Sequence, residues 1–120
     1  MSNWTHVAGI IRVDSLERVL MGKSADFASL IGKLPFGSEG ELKMMVWENP
    51  DKHSLVGYTV SIFGDLRDHD SAEEIIEWFK NVCTKLSAQN LSIRNATVTA
   101  DNSFNGSSDW TYREDFDIGE

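Results

Sequence analysis

The most regular pattern of apolar and polar positions lies between residues 55 and 86. Leu55–Phe63, LVGYTVSIF, is rich in β-branched and aromatic residues, and Val56, Tyr58, Val60 and Ile62 alternate onto one face. That period of two predicts a half-buried strand. A polar turn through Gly64 and residues 65–70 follows. Ser71 and Glu74 then make an S-x-x-E pair, in which each side chain can take the other residue's backbone N–H at a helix start. Beyond it Ile75, Phe79, Val82, Cys83 and Leu86 recur at helical spacing, and Glu73, Glu77, Lys80 and Lys85 fill the opposite face. Acid comes early and base late, the order a helix dipole favours. The helix is predicted to stop between Ser87 and Asn90, because Asn tolerates the left-handed conformation at a C-terminus.

The same reading extends along the chain. Trp4–Val13 is a predicted strand whose two faces are both fairly apolar, as suits a central position. Asp14-x-x-Glu17 opens a helix with Leu16, Val19 and Leu20 in its stripe; Gly22 interrupts it, a second start at Ser24 leads to Phe27, Leu30 and Ile31, and Gly32 ends the region. Leu34–Gly40 is loop by composition, and Leu42–Glu48 is a strand. Asn49-Pro50-Asp51 opens a turn, so residues 49–54 should join two strands into a hairpin. Leu91–Ala100 is a further strand, residues 101–108 a polar loop with a tight-turn signal at Asn105-Gly106, and Trp110–Tyr112 has the pattern of a short returning strand. Residues 112–120 read as a loosely held acidic end. The order β-α-β-β-α-β is that of a ferredoxin-like α+β domain, with an antiparallel sheet, both helices on one face and a C-terminal strand to spare.

Composition narrows this picture without naming an activity. The chain has 120 residues, 41% hydrophobic and 25% charged, which suits one globular domain with a real core. A net charge of -8 disfavours nucleic acid, whose phosphates need clustered Lys and Arg. It is compatible with a basic protein partner, although solubility alone is the plainer explanation. The single cysteine, Cys83, lies on the helix stripe, so it should be a buried small hydrophobe, with no disulfide and no thiolate metal cluster. The N-terminal stretch lacks the pattern of a signal peptide, and no run approaches the ~20 apolar residues of a membrane span. The expectation is a cytoplasmic chain with no membrane partner, and N-x-S/T triplets at Asn3, Asn90, Asn95 and Asn105 carry no weight.

Several groups of residues have chemical potential. Asp65, Asp68, His69 and Asp70 place three carboxylates and an imidazole within six positions, a set able to hold a hard divalent ion. Their position before a helix start gives them a structural reason as turn and cap residues, which is the better explanation. Gly37-Ser38-Glu39-Gly40 can present backbone N–H groups to an anion, although a loop entering an edge strand needs Gly in any case. His6, His53 and His69 are scattered, and no Ser sits in a G-x-S-x-G elbow. The aromatic inventory is more suggestive. Trp4, Trp47 and Trp110 fall near predicted strand ends, and Trp and Tyr are enriched at binding hot spots. Arg12 and Arg67 supply planar forks for a carboxylate or phosphate.

The phrases WTHVAGIIRVD (residues 4–14), GSEGEL (37–42), WENP (47–50), YTVSIFGDLRD (58–68) and EIIEWF (74–79) resemble small uncharacterised proteins encoded by bacteriophages and prophages. The resemblance covers most of the chain. It implies a small accessory protein and brings neither an activity nor site residues; small acidic phage proteins include inhibitors of host defence and proteins that sequester nucleotide signals. The leading expectation is a non-enzymatic binding protein, without cofactor, that is a homo-oligomer or binds a host protein. Its working surface would be an open sheet face carrying Trp4 or Trp47, Met45 and Tyr58, with Trp110 nearby. The second is a binder of a nucleotide-like ligand, using Gly37, Ser38, Gly40, Arg12 or Arg67 and an aromatic stack. The third is a metal-dependent hydrolase built on residues 65–70.

Overall fold

Five strands form one antiparallel sheet in the order β2-β3-β1-β4-β5. They are β1 (Trp4–Asp14), β2 (Lys43–Glu48), β3 (Val56–Arg67), β4 (Ser92–Asn102) and β5 (Gly106–Arg113), and the helices are α1 (Leu16–Met21), α2 (Phe27–Ile31) and α3 (Ala72–Ser87). The structure, a computed structural model, describes residues 3–69 and 71–114. The α+β class and antiparallel sheet are as the pattern predicts. The count differs from the six elements expected, because the C-terminal strand is a full member of the sheet and the first helical region is two separate helices. Tyr112 and Arg113 belong to β5, so the expectation of a loose end fails at these two residues, and residues 115–120 lie outside the described residues.

Strict alternation along β1 sets the layers. Thr5, Val7, Ile11 and Val13 are buried, and His6, Ala8, Ile10 and Arg12 are exposed. The helices cover the buried side. Ile75, Phe79, Val82 and Leu86 of α3 join Val7, Ile11, Val60, Ile62, Ala96 and Val98 in one core. Gly9 lies on that side, and a Cβ there would stand 2.6 Å from the Phe79 ring, so the absent side chain lets the ring lie on the strand backbone. Phe79 also meets Trp110 edge to face, with ring centroids 6.1 Å apart. At the start of α3 the Ser71 hydroxyl accepts the Glu74 N–H, one half of the exchange the S-x-x-E pair predicts, while the Glu74 carboxylate lies 3.9 Å from His69 Nε2. The helix ends at Ser87, and Asn90 takes a left-handed φ of 63°.

Several local expectations are overturned, among them the 101–108 loop, which shrinks to residues 103–105 between β4 and β5. The polar run after Phe63 was read as a turn, but β3 continues through Gly64 to Arg67, with Asp65 opposite His6 and Arg67 opposite Trp4. Pairing with the long central β1 overrides the local turn signal. Another concerns α1. The pattern turns Leu16, Val19 and Leu20 inward, yet Val19 is only half-buried, Leu16 and Leu20 are 57% and 73% exposed, and the buried side chain is Arg18, at 1%. The Arg18 guanidinium donates from Nε to Glu48 Oε2 at 2.8 Å and to the carbonyls of Asn49, Asp51 and Ser54, and its Cζ lies 5.7 Å from the Tyr58 ring centroid. A charged group can be buried when its donors are engaged in this way. Arg18 therefore fastens the β2–β3 loop to the first helix. The N-caps are Ser15 and Asp26 rather than Asp14 and Ser24; Ser24 instead donates its hydroxyl to the Glu48 carboxylate.

Candidate functional site

With every helix on one side, the opposite face of the sheet is left uncovered. The pairing register lays its side chains in rows across the strands. Trp47, Thr59, Arg12, Asn95 and Arg113 form one row; Met45, Ser61, Ile10, Thr97 and Thr111 the next; Lys43, Phe63, Ala8, Thr99 and Asp109 the third. Asp65, His6, Asp101 and Ser107 follow, and then Arg67 and Trp4. An apolar, exposed group runs from the β2 edge to the central strand: Met45 is 64% exposed, Trp47 53%, Ile10 43% and Phe63 39%. Threonines flank this group on β4 and β5, with the hydroxyls of Thr97 and Thr111 3.2 Å apart. Sheet faces of soluble domains are usually polar where water reaches them, and this one carries four large apolar side chains exposed.

The expected site residues divide between the two faces. Trp47, Arg12 and Met45 lie on the open face, and Trp4 lies at its far end, partly buried. Tyr58 does not: it shares its side with Val60 and Ile62, is 2% exposed, packs against Phe27 at 4.8 Å between centroids and accepts the Ala25 N–H at its hydroxyl. Trp110 also points to the helix side, opposite Val98, with Tyr112 stacked beside it at 6.3 Å. Alternation from Tyr58 and from Val98 fixes both outcomes. Ile10 and Phe63 were missing from the expected site. Their signal was present, since each alternates out of step with the buried positions of its strand.

The loop proposed for an anion is committed to the fold. The Ser38 N–H donates to the Arg67 carbonyl, the Arg67 N–H to the Glu39 carbonyl and the Gly37 N–H to the Gly40 carbonyl. A Cβ on Gly37 would collide with the Arg67 backbone, so the glycine is explained by close approach. Arg67 Nη1 lies 2.5 Å from Glu39 Oε1, so one arm of the guanidinium expected to meet a ligand is already paired, and its Nε is buried. Gly40 stands beside Trp4, a Cβ there falling 3.9 Å from its ring.

The residues considered for a metal are likewise dispersed. Asp65 Oδ1 is 2.6 Å from His6 Nδ1, and Asp68 accepts the Ser38 hydroxyl at 2.7 Å. The His69 carbonyl accepts from Thr5 Oγ1 and Asn102 Nδ2, tying the chain before α3 to the central strands. Asp70 lies outside the described residues. Among the described residues no group of three or more His, Cys, Asp or Glu is placed to hold a metal ion. Burial pushes the Cys83 thiol up to about 11, so at neutral pH it is a neutral core group.

No family model matches the chain, and comparison with curated proteins and with solved structures gives no significant match. No helix among the described residues is long and apolar enough to cross a membrane.

Proposed function

We propose that this is a non-enzymatic binding protein that docks another protein on the open face of its sheet. The observation that carries the reading is the contrast within single strands: Ile11 is fully buried and Ile10, its neighbour, is 43% exposed amid Met45, Trp47 and Phe63. Small-molecule sites are concave and enclose most of their ligand. The open face is broad and shallow, which fits a protein surface better than a nucleotide, and of the groups offered for a nucleotide the 37–40 loop and Arg67 are engaged internally while Arg12 stands on the open face. The order β2-β3-β1-β4 with helices on one side supports a ferredoxin-like core, to which β5 adds an edge.

A photo-crosslinking residue in place of Met45 tests the reading. It should give a covalent protein adduct in cells, and Ile10→Asp should abolish that adduct while leaving the circular dichroism spectrum unchanged. No protein adduct, or one indifferent to Ile10→Asp, contradicts the proposal.

A further inference from the structure

We infer that the occupant of the open face is a second copy of this chain, packed face to face with strands antiparallel; this rests on the docking role proposed above. The face is polarised along its strands. Arg12 and Arg113 lie in one row with Trp47, Thr59 and Asn95 and no carboxylate. Neither arginine forms an ion pair among the described residues. At the other end stand Asp65 and Asp101, on either side of His6, with Asp109 one row nearer; the two cations of that end, Lys43 and Arg67, are paired with Glu41 and Glu39, so the unpaired charge there is acidic.

A two-fold axis running across the strands near Gly9 reverses β1 over its counterpart. Each arginine end then lies over the acidic end of the other copy, and the match occurs twice. An axis along the strands would instead set arginine over arginine, so the charges select the antiparallel arrangement. The centre agrees with this. A shallow depression of about 380 Å³ around Ala8 is bordered by Ile10, Ser61, Phe63, Thr97 and Thr99. Reversal about Gly9 brings the projecting Ile10 of one copy over Ala8 of the other.

Two further observations favour a second copy. The chain carries a net charge of -8, so most surfaces of two copies repel. The strand residues of this face are nearly balanced, with Arg12, Lys43, Arg67 and Arg113 against Asp65, Asp101 and Asp109. The size also fits: five strands about 4.8 Å apart and about ten residues long, at ~3.3 Å each, present roughly 800 Å². A standard stable interface buries about 800 Å² per partner.

Sedimentation equilibrium with two charge-reversed variants tests the arrangement. In one, Arg12→Glu and Arg113→Glu are combined; in the other, Asp101→Lys and Asp109→Lys. The wild-type chain should be dimeric and dissociate as salt rises. Each variant alone should dissociate at least ~10-fold more readily, and their equimolar mixture should recover a dimer, because opposite charges then meet at both ends. Circular dichroism melts confirm that both variants fold. A wild-type monomer at every concentration overturns the second-copy assignment, and so does a mixture as monomeric as its components. If the crosslinker at Met45 still captures a different protein, the docking role stands and only the identity of the occupant falls.

Discussion

The two faces of the sheet are made by the same strands and teach different things. On the helix side Ile11, Val60, Ile62 and Val98 are completely buried, and Phe79 lies on bare backbone at Gly9. On the other side, one residue along in each strand, Ile10, Met45, Trp47 and Phe63 meet water. The core lies wholly on the first face, and the second carries apolar side chains outside it. A period of two places the core positions and the proposed docking positions on alternate residues.

That separation can be broken in order of expected effect. Ile11→Asp buries an unpaired carboxylate and should leave the chain unfolded by circular dichroism, since such changes cost more than ~4 kcal/mol. Ile10→Asp should still fold. Phe79→Ala should cost about 3–5 kcal/mol in denaturant melts, by the cavity it leaves above Gly9. Arg18→Ala should cost about 2–4 kcal/mol, because Glu48 and the loop carbonyls lose their buried donor. Trp47→Ala should change monomer stability by less than ~0.5 kcal/mol, yet weaken docking by about 30-fold if the ring is a hot spot.

The Arg18 clamp also sets a pH dependence. Hydrogen bonding from Arg18 is the main cause holding the Glu48 carboxyl below its usual value, with Ser24 adding to it. A depressed folded value stabilises the fold above the unfolded carboxylate value, and the contribution is lost as pH falls through the folded one. Wild type should therefore lose more stability on acidification than Glu48→Gln, measured by melts across the acid range. Equal losses would mean that the clamp does not depend on the charge of Glu48.

Much of the fold was legible because period and burial agree. The 55–63 strand, the helix after Ser71 and the paired apolar faces of β1 follow from alternation and capping. What was not legible depends on distant partners. Nothing local shows that Arg18 reaches a loop more than 30 residues away, so its helix looked inverted. Nothing local distinguishes Asp65 in a turn from Asp65 in a strand, because its partner His6 lies 59 positions earlier. The open face was half legible: Met45 and Trp47 were expected there, whereas Tyr58 and Trp110 needed the register to be placed on the helix side.

Two methionines provide the most direct test of the docking claim. Met21 on α1 and Met45 on the open face are similarly exposed in the single chain, at 70% and 64%. Their oxidation by peroxide can be followed by mass spectrometry over a series of protein concentrations. Docking of a second copy predicts that Met45 becomes several-fold protected as concentration rises, while Met21 keeps its rate. Equal oxidation of the two at every concentration would contradict docking of a second copy on the open face.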